Sequence, residues 1–131
     1  MTGLRRILVV DDDASIRDVA RMSLEMVGGH EVLVAANGDE ALASARDERP
    51  DAILLDVMMP GLDGPGTFER LQADPATCRI PVILLTAKLQ PADQARFTKL
   101  GVRAVLAKPF DSMTLADDVA AILGWPRGSR L

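Results

Sequence analysis

The chain has 131 residues, enough for one domain with a real core, and 48% of them are hydrophobic against 26% charged. A formal net charge of −4 argues against non-specific nucleic-acid binding, the single cysteine excludes an internal disulfide or a cysteine metal cluster, and no apolar run approaches a membrane span. The N-terminal apolar run ends at once in three aspartates and makes a poor secretory signal, so the expected location is cytoplasmic.

In chain order, Arg5 to Val10 (RRILVV) predicts a first strand, ending in Asp11, Asp12 and Asp13. Asp13 can cap a helix that carries Ile16, Ala20, Leu24 and Val27 at helical spacing and stops at Gly28-Gly29. His30 is expected as a solvated turn residue before a second strand, Glu31 to Ala35. Asn37 is a candidate cap for a helix running to about Asp47, with Asp39 and Glu40 in its first turn. Pro50 breaks that helix. The short run Ala52-Ile53-Leu54-Leu55 then has no polar alternation, as suits a strand buried on both faces, and it ends in Asp56.

Pro60, Gly61, Asp63, Gly64 and Pro65 are turn residues, and Pro65 fits the first position of a helix with Phe68 and Leu71. Asp74-Pro75 ends it. Pro81 opens a fourth apolar strand, Val82 to Leu85, which ends in Thr86. A helix from Pro91 to Gly101 and a strand from Val102 to Ala107 follow, then Lys108-Pro109-Phe110. Asp111 or Ser112 can cap a last helix with Leu115, Val119, Ile122 and Leu123 on one apolar face. Residues 1–124 are expected to form the domain and residues 125–131 a short flexible tail, in which Trp125 packs on the last helix or moves freely. Cys78 is expected to be a passive surface or boundary residue.

Strict alternation of strand and helix with short loops implies an α/β fold: a parallel sheet with helices on both faces. The strand ends then matter most, because ligands of such sheets bind beyond the carboxyl ends of the strands. Those ends deliver Asp11 and Asp12, Asp56, Thr86 and Lys108 to one edge. If the first and third strands are neighbours, as in the order 2-1-3-4-5, three carboxylates and a lysine share a crevice. Three carboxylates close together need compensation, which a hard divalent cation such as Mg²⁺ (or Mn²⁺) supplies. Lys108 would hold one phosphoryl oxygen as a point charge and the Thr86 hydroxyl another, leaving Asp56 as a carboxylate nucleophile. The plainer readings are a helix-cap cluster for Asp11-Asp12-Asp13, a turn for Asp56 and Thr86, and loop packing for Met58-Met59.

Four motifs end strands in this order: VVDDD (Val9 to Asp13), LLDVMMPGLDG (Leu54 to Gly64), LLTA (Leu84 to Ala87) and AKPF (Ala107 to Phe110). Together they resemble the response-regulator receiver domain of two-component signalling, over roughly residues 5 to 123. The resemblance implies a flavodoxin-like doubly wound (βα)5 fold of strand order 2-1-3-4-5. It makes Asp56 the phosphoacceptor, Asp12 a direct Mg²⁺ ligand, Asp11 an acid acting through metal-bound water, and the Met58 backbone carbonyl a third protein ligand. It makes Thr86 the hydroxyl that moves toward the phosphoryl group, Lys108 the lysine that pairs with it, and Lys108-Pro109 a cis peptide.

The implied partners are a sensor histidine kinase or histidine phosphotransfer protein and a downstream protein target. No DNA or membrane binding is expected, and the oligomeric state is expected to be monomer or weak homodimer. The expected product is a switch with slow self-catalysed dephosphorylation, not an enzyme. Two positions depart from the family pattern: Val105 stands where an aromatic residue often turns inward on activation, and Met58 and Lys88 occupy positions that tune hydrolysis. A thioether cannot orient water strongly, so a long-lived phosphorylated state is expected. Two other readings stand beside the switch. One is a phosphorylation-independent binding module. The other is an aspartyl-nucleophile phosphatase, disfavoured because such enzymes carry the nucleophile on the first strand and need a cap.

Overall fold

Every residue of Ala52–Asp56 and of Val82–Thr86 is buried, and these two strands form the middle of the fold. The structure is a computed structural model that describes residues 5–87 and 90–125; Lys88 and residues 126–131 of the expected tail lie outside the described residues. The strands are β1 (Arg6–Val10), β2 (Glu31–Ala35), β3 (Ala52–Asp56), β4 (Val82–Thr86) and β5 (Ala104–Ala107). The helices are α1 (Ala14–Met22), continued by a π-helical segment Ser23–Val27, then α2 (Gly38–Glu48), α3 (Gly64–Ala73), α4 (Pro91–Leu100) and α5 (Leu115–Leu123). All pairings are parallel, in the order β2-β1-β3-β4-β5. The fold is thus the flavodoxin-like α/β arrangement that the alternation and the motifs implied.

Successive strand residues point to opposite faces, and each face has its own core. Leu8, Val10, Ile53, Leu55 and Leu84 face α2, α3 and α4, meeting Ala41, Ala45, Phe68, Leu71 and Phe97. Ile7, Val9, Leu54, Ile83 and Leu85 face α1, the π-helical segment and α5, meeting Ala20, Leu24, Leu115 and Val119. Each such aliphatic side chain contributes about 1.5–3 kcal/mol by leaving water, so both cores anchor the strand ends firmly.

The helix ends show why the chain breaks where it does. Asp13 Oδ1 accepts from Ser15 N at 2.9 Å, Asn37 Oδ1 from Glu40 N at 2.8 Å, and Asp63 Oδ1 from Gly66 N at 2.8 Å. Four boundaries differ from the sequence reading, the first being α3, which starts at Gly64 rather than Pro65 because Asp63 caps it. The first helix is not α-helical through to Gly28, since its last turn is π-wound. β5 starts at Ala104 rather than Val102, because Gly101 leaves α4 in a left-handed conformation (φ 107°) and Val102 is buried as a connector. The N-cap of α5 is Thr114, without a side-chain bond, whereas Asp111 caps the preceding turn by accepting from Met113 N at 2.8 Å.

His30 is not a solvated turn residue. Its ring meets Trp125 edge-on at 5.5 Å, with the Arg5 guanidinium 5.1 Å from the Trp125 ring, and its Nδ1 is buried with no hydrogen-bond partner among the described residues. Trp125 thereby packs beside the α5 core, and its N–H donates to Ala120 O at 2.9 Å. Burial pushes the His30 pKa down, Arg5 pushes it the same way, and Asp51 opposes them. The folded state therefore binds the proton less well than the unfolded chain. Its contribution to stability is fully present above the unfolded value of about 6.5 and is lost as pH falls through the lower folded value. The chain has one histidine. Thermal midpoints at pH 7.5 and about pH 5.5 should therefore fall less in His30→Gln than in the wild type; equal falls would remove this role from His30.

Candidate functional site

The register places the strand ends in steps. Val10 pairs with Leu55, so Asp11 and Asp56 emerge side by side where β1 and β3 end. Asp56 is level with Leu85, and Thr86 is level with Ala107, so Thr86 and then Lys108 reach one residue further out. Lys108 N donates to Thr86 O at 2.8 Å, which holds the end of β5 against β4. The Lys108–Pro109 peptide is cis, as the motif implied.

Lys108 joins the acids. Its Nζ donates to Asp11 Oδ2 at 2.9 Å and to Asp56 Oδ1 at 3.0 Å. Asp11 is 0% exposed and Asp56 2% exposed, whereas Asp12 is exposed at the mouth. The second oxygen of Asp11 is also used, accepting from Asp13 N at 2.9 Å. Burial pushes the Asp56 carboxyl up; the Lys108 hydrogen bond pulls it back, and the charge of Asp11 pushes it up again. On Lys108, burial lowers the pKa, but hydrogen bonds to Asp11 and Asp56 outweigh it and the net direction is upward. The pair sets a buried carboxyl, its pKa raised, against a lysine whose protonated form is favoured.

Carboxylate oxygens of Asp11, Asp12 and Asp56 lie within 4.8 Å of one another. Hard oxygen donors at that spacing fit a divalent cation of the Mg²⁺ type, with water completing its shell. The loop after Asp56 closes over the same edge: Gly64 N donates to Val57 O at 2.9 Å. Gly64 must be glycine for steric reasons, because a Cβ there would lie 2.4 Å from Asp56 O and 2.8 Å from Val57 Cα. Met58, at the start of that loop, is 74% exposed. It shares a cavity of about 370 Å³ with Thr86, Ala87, Asp93, Arg96 and Phe97. Thr86 is buried at 4% exposure at the base of that cavity.

The structure thus brings Asp11, Asp12, Asp56 and Lys108 into one cluster, with Thr86 and Met58 beside it. Val105 lies in the core at 7% exposure. Sequence reasoning passed over Arg17, whose Nη1 donates to Asp11 O at 2.8 Å and steadies the β1 end. A signal for it was present, since Arg17 sits in the first turns of the helix that Asp13 caps. It also passed over Ser23, whose hydroxyl reaches a partner 89 residues away.

A parallel five-stranded α/β sheet with an acid cluster and a lysine at its carboxyl edge is the arrangement that the four strand-end motifs implied. Comparison with known proteins agrees. Residues 7–120 match the response regulator receiver domain family, and the chain belongs to that family. It is 41% identical over 120 residues to protein PilH of Pseudomonas aeruginosa, covering 92% of this chain and 98% of that one. It is 40% identical over 119 residues to the phosphate regulon transcriptional regulatory protein PhoB of the same species, but spans only 52% of its length. The chemotaxis protein CheY4 of Vibrio cholerae superposes with a TM-score of 0.84 at 32% identity, covering 91% of this chain and 98% of that one. Receiver domains are phosphoacceptors rather than conventional enzymes, and the family binds Mg²⁺ at an acidic pocket. Among the described residues, no helix is long and apolar enough to cross a membrane.

Proposed function

We propose that this chain is a phosphorylation switch in which Asp56 accepts a phosphoryl group from a histidine kinase or a histidine phosphotransfer protein. The observation that carries this is the Lys108 ammonium held within 3.0 Å of both Asp11 and Asp56. A lysine so placed can transfer its contact from a carboxylate oxygen to a phosphoryl oxygen without crossing the site. Asp56 is the nucleophile: one of its oxygens bonds to phosphorus in line with the departing imidazole nitrogen, and the P–N bond breaks as the O–P bond forms.

Asp12 and Asp56, with the Met58 backbone carbonyl, would hold Mg²⁺ directly, and Asp11 through water. Once bound, the ion neutralises charge on the phosphoryl oxygens. Thr86 is the hydroxyl donor on the far side, one residue beyond the level of Asp56. Because Val105 has no ring to swing, the change at Thr86 passes through its own loop to the face formed by α4, β5 and α5. A protein target reads that face. The chain itself acts as a monomer or weak homodimer without contacting DNA.

A small phosphodonor such as acetyl phosphate with Mg²⁺ tests the reading. One acid-stable, hydroxylamine-labile phosphate per chain supports the switch. Many turnovers per minute point to a phosphatase, and no uptake points to a binding module that works by shape alone.

Met58 sets the lifetime of the product. An exposed thioether beside the acyl phosphate gives attacking water no strong acceptor or donor. Met58→Asn should shorten the lifetime several-fold in a phosphate-release assay, and an unchanged decay rate would clear Met58 of that role.

A further inference from the structure

The helix after β1 changes its winding halfway, from α-helix to π-helix at Ser23. π-helical turns are rare and concentrate at functional sites. Here the wider winding turns two consecutive residues, Ser23 and Leu24, inward. Leu24 enters the apolar core. Ser23 is 4% exposed, and its hydroxyl donates to the carbonyl of Ser112. A buried hydroxyl needs such a partner, but this one is chosen from across the fold.

Ser112 belongs to the segment joining β5 to α5, which begins at Lys108. Asp111 to Leu115 is one tight turn: Asp111 O accepts from Thr114 N at 3.1 Å and Leu115 N at 3.0 Å, and Asp111 Oδ1 accepts from Met113 N at 2.8 Å. Residues 111–114 are exposed, so the turn is placed by its flanks, Phe110 and Leu115, which pack against the α5 core, and by hydrogen bonds. The Ser23 hydroxyl ties it to the π-helical segment. At the other end of this segment, Lys108 N is bonded to Thr86 O at 2.8 Å. The backbone from Lys108 to Ser112 is thus held at one end by β4 and at the other by Ser23, with Phe110 packed on the core between them and Lys108 Nζ reaching Asp11 and Asp56.

We infer that Ser23 is a positioning residue for phosphoryl transfer: by fixing the β5–α5 turn it holds Lys108 where the phosphoryl oxygen arrives. This rests on the reading of Asp56 as phosphoacceptor. Placement of a reacting or charge-stabilising group to a fraction of an ångström matters strongly to rate. The acids are not suspended from Ser23. Losing the tie therefore lowers the rate of phosphorylation without weakening cation binding.

The experiment compares wild type, Ser23→Ala and Ser23→Thr for phosphorylation by acetyl phosphate over a range of donor concentrations, with Mg²⁺ affinity measured by calorimetry. Ser23 lies beside an apolar groove of about 480 Å³ lined also by Val19, Met22, Met26 and Met113, which leaves room for the threonine methyl. Ser23→Ala should lower the maximal rate about fivefold, the scale of one lost hydrogen bond, with half-saturation and Mg²⁺ affinity unchanged. Ser23→Thr should restore the rate. A folded Ser23→Ala that reacts as fast as wild type overturns the inference, as does a loss that tracks weaker Mg²⁺ binding or is not restored by threonine. Wild-type chain that takes up no phosphate contradicts the phosphoacceptor reading itself, whereas labelled wild type beside an equally fast Ser23→Ala contradicts only the role of Ser23.

Discussion

Replacing Lys108 with methionine should lower phosphorylation by acetyl phosphate roughly 100-fold, the usual scale for removing one group that stabilises developing charge. Methionine keeps most of the stem and removes the ammonium, so packing changes little. The ammonium now lies 2.9 Å from Asp11 and 3.0 Å from Asp56 and is the counter-charge for both buried acids. Without it, two carboxylates face each other in a nearly dry site, which is costly unless another cation or a proton arrives. The same substitution should therefore leave Mg²⁺ affinity unchanged or tighter, because a competing cation has gone. A near-wild-type rate, or weaker Mg²⁺ binding, would show that Lys108 serves packing rather than phosphoryl transfer.

The second large effect is on Asp56 and has two opposite parts. Asp56→Asn should abolish phosphate uptake and, at pH 7 without divalent cation, raise the thermal midpoint. The sign follows from the direction of the pKa. Burial pushes the Asp56 carboxyl up, the Lys108 hydrogen bond only partly offsetting this, and Asp11 adds to the rise. A raised carboxyl pKa favours folding only at low pH, where the group is protonated, and that advantage is lost as pH rises through the folded value. Above that value the ionised Asp56 is thus a cost to the fold, one that the proposed reaction, which needs a carboxylate, would account for. Asparagine keeps the shape and drops the charge. Mg²⁺ at 100 times its dissociation constant should then stabilise the wild type by about 2.7 kcal/mol and Asp56→Asn much less. Labelling with acetyl phosphate checks the loss of uptake, and differential scanning calorimetry with and without Mg²⁺ checks the two stability effects. A variant that is less stable, or that responds to Mg²⁺ like the wild type, contradicts them.

The parts of this molecule that were legible from sequence share a cause. Runs such as Ala52 to Leu55 and Val82 to Leu85 are short and wholly apolar, and in the structure every one of these residues is buried. Because parallel strands keep a common direction, whatever follows those runs arrives at one edge. Asp11, Asp56, Thr86 and Lys108 could therefore be grouped before any geometry was known. Caps at Asp13 and Asn37 were equally readable, since an N-cap is a local side-chain-to-backbone bond, whereas the cap at Asp63 was hidden in a stretch that reads as a turn-rich loop.

What was not legible is non-local or hidden in the backbone. The π-helical turn at Ser23–Val27 leaves Leu24 and Val27 at helical spacing, so side-chain periodicity alone reads as ordinary α-helix. The Ser23–Ser112 bond joins residues 89 apart and has no pattern within either segment. His30 was misplaced for the same reason: its neighbours Gly28 and Gly29 suggest a turn, but Trp125 arrives from the far end of the chain to cover it. Gly28 itself allows close packing there, since a Cβ would lie 2.8 Å from His30 Cδ2 and 2.9 Å from Ala116 Cβ.

On the proposed function, the acid cluster at the sheet edge carries a phosphoryl group on Asp56. Peptide mapping by mass spectrometry after exposure to acetyl phosphate and Mg²⁺, with borohydride trapping of the acyl phosphate, addresses it most directly. The expected result is a single modified residue, Asp56, with no trapping when Mg²⁺ is chelated. Modification at another residue, or none in folded protein supplied with Mg²⁺, would contradict it.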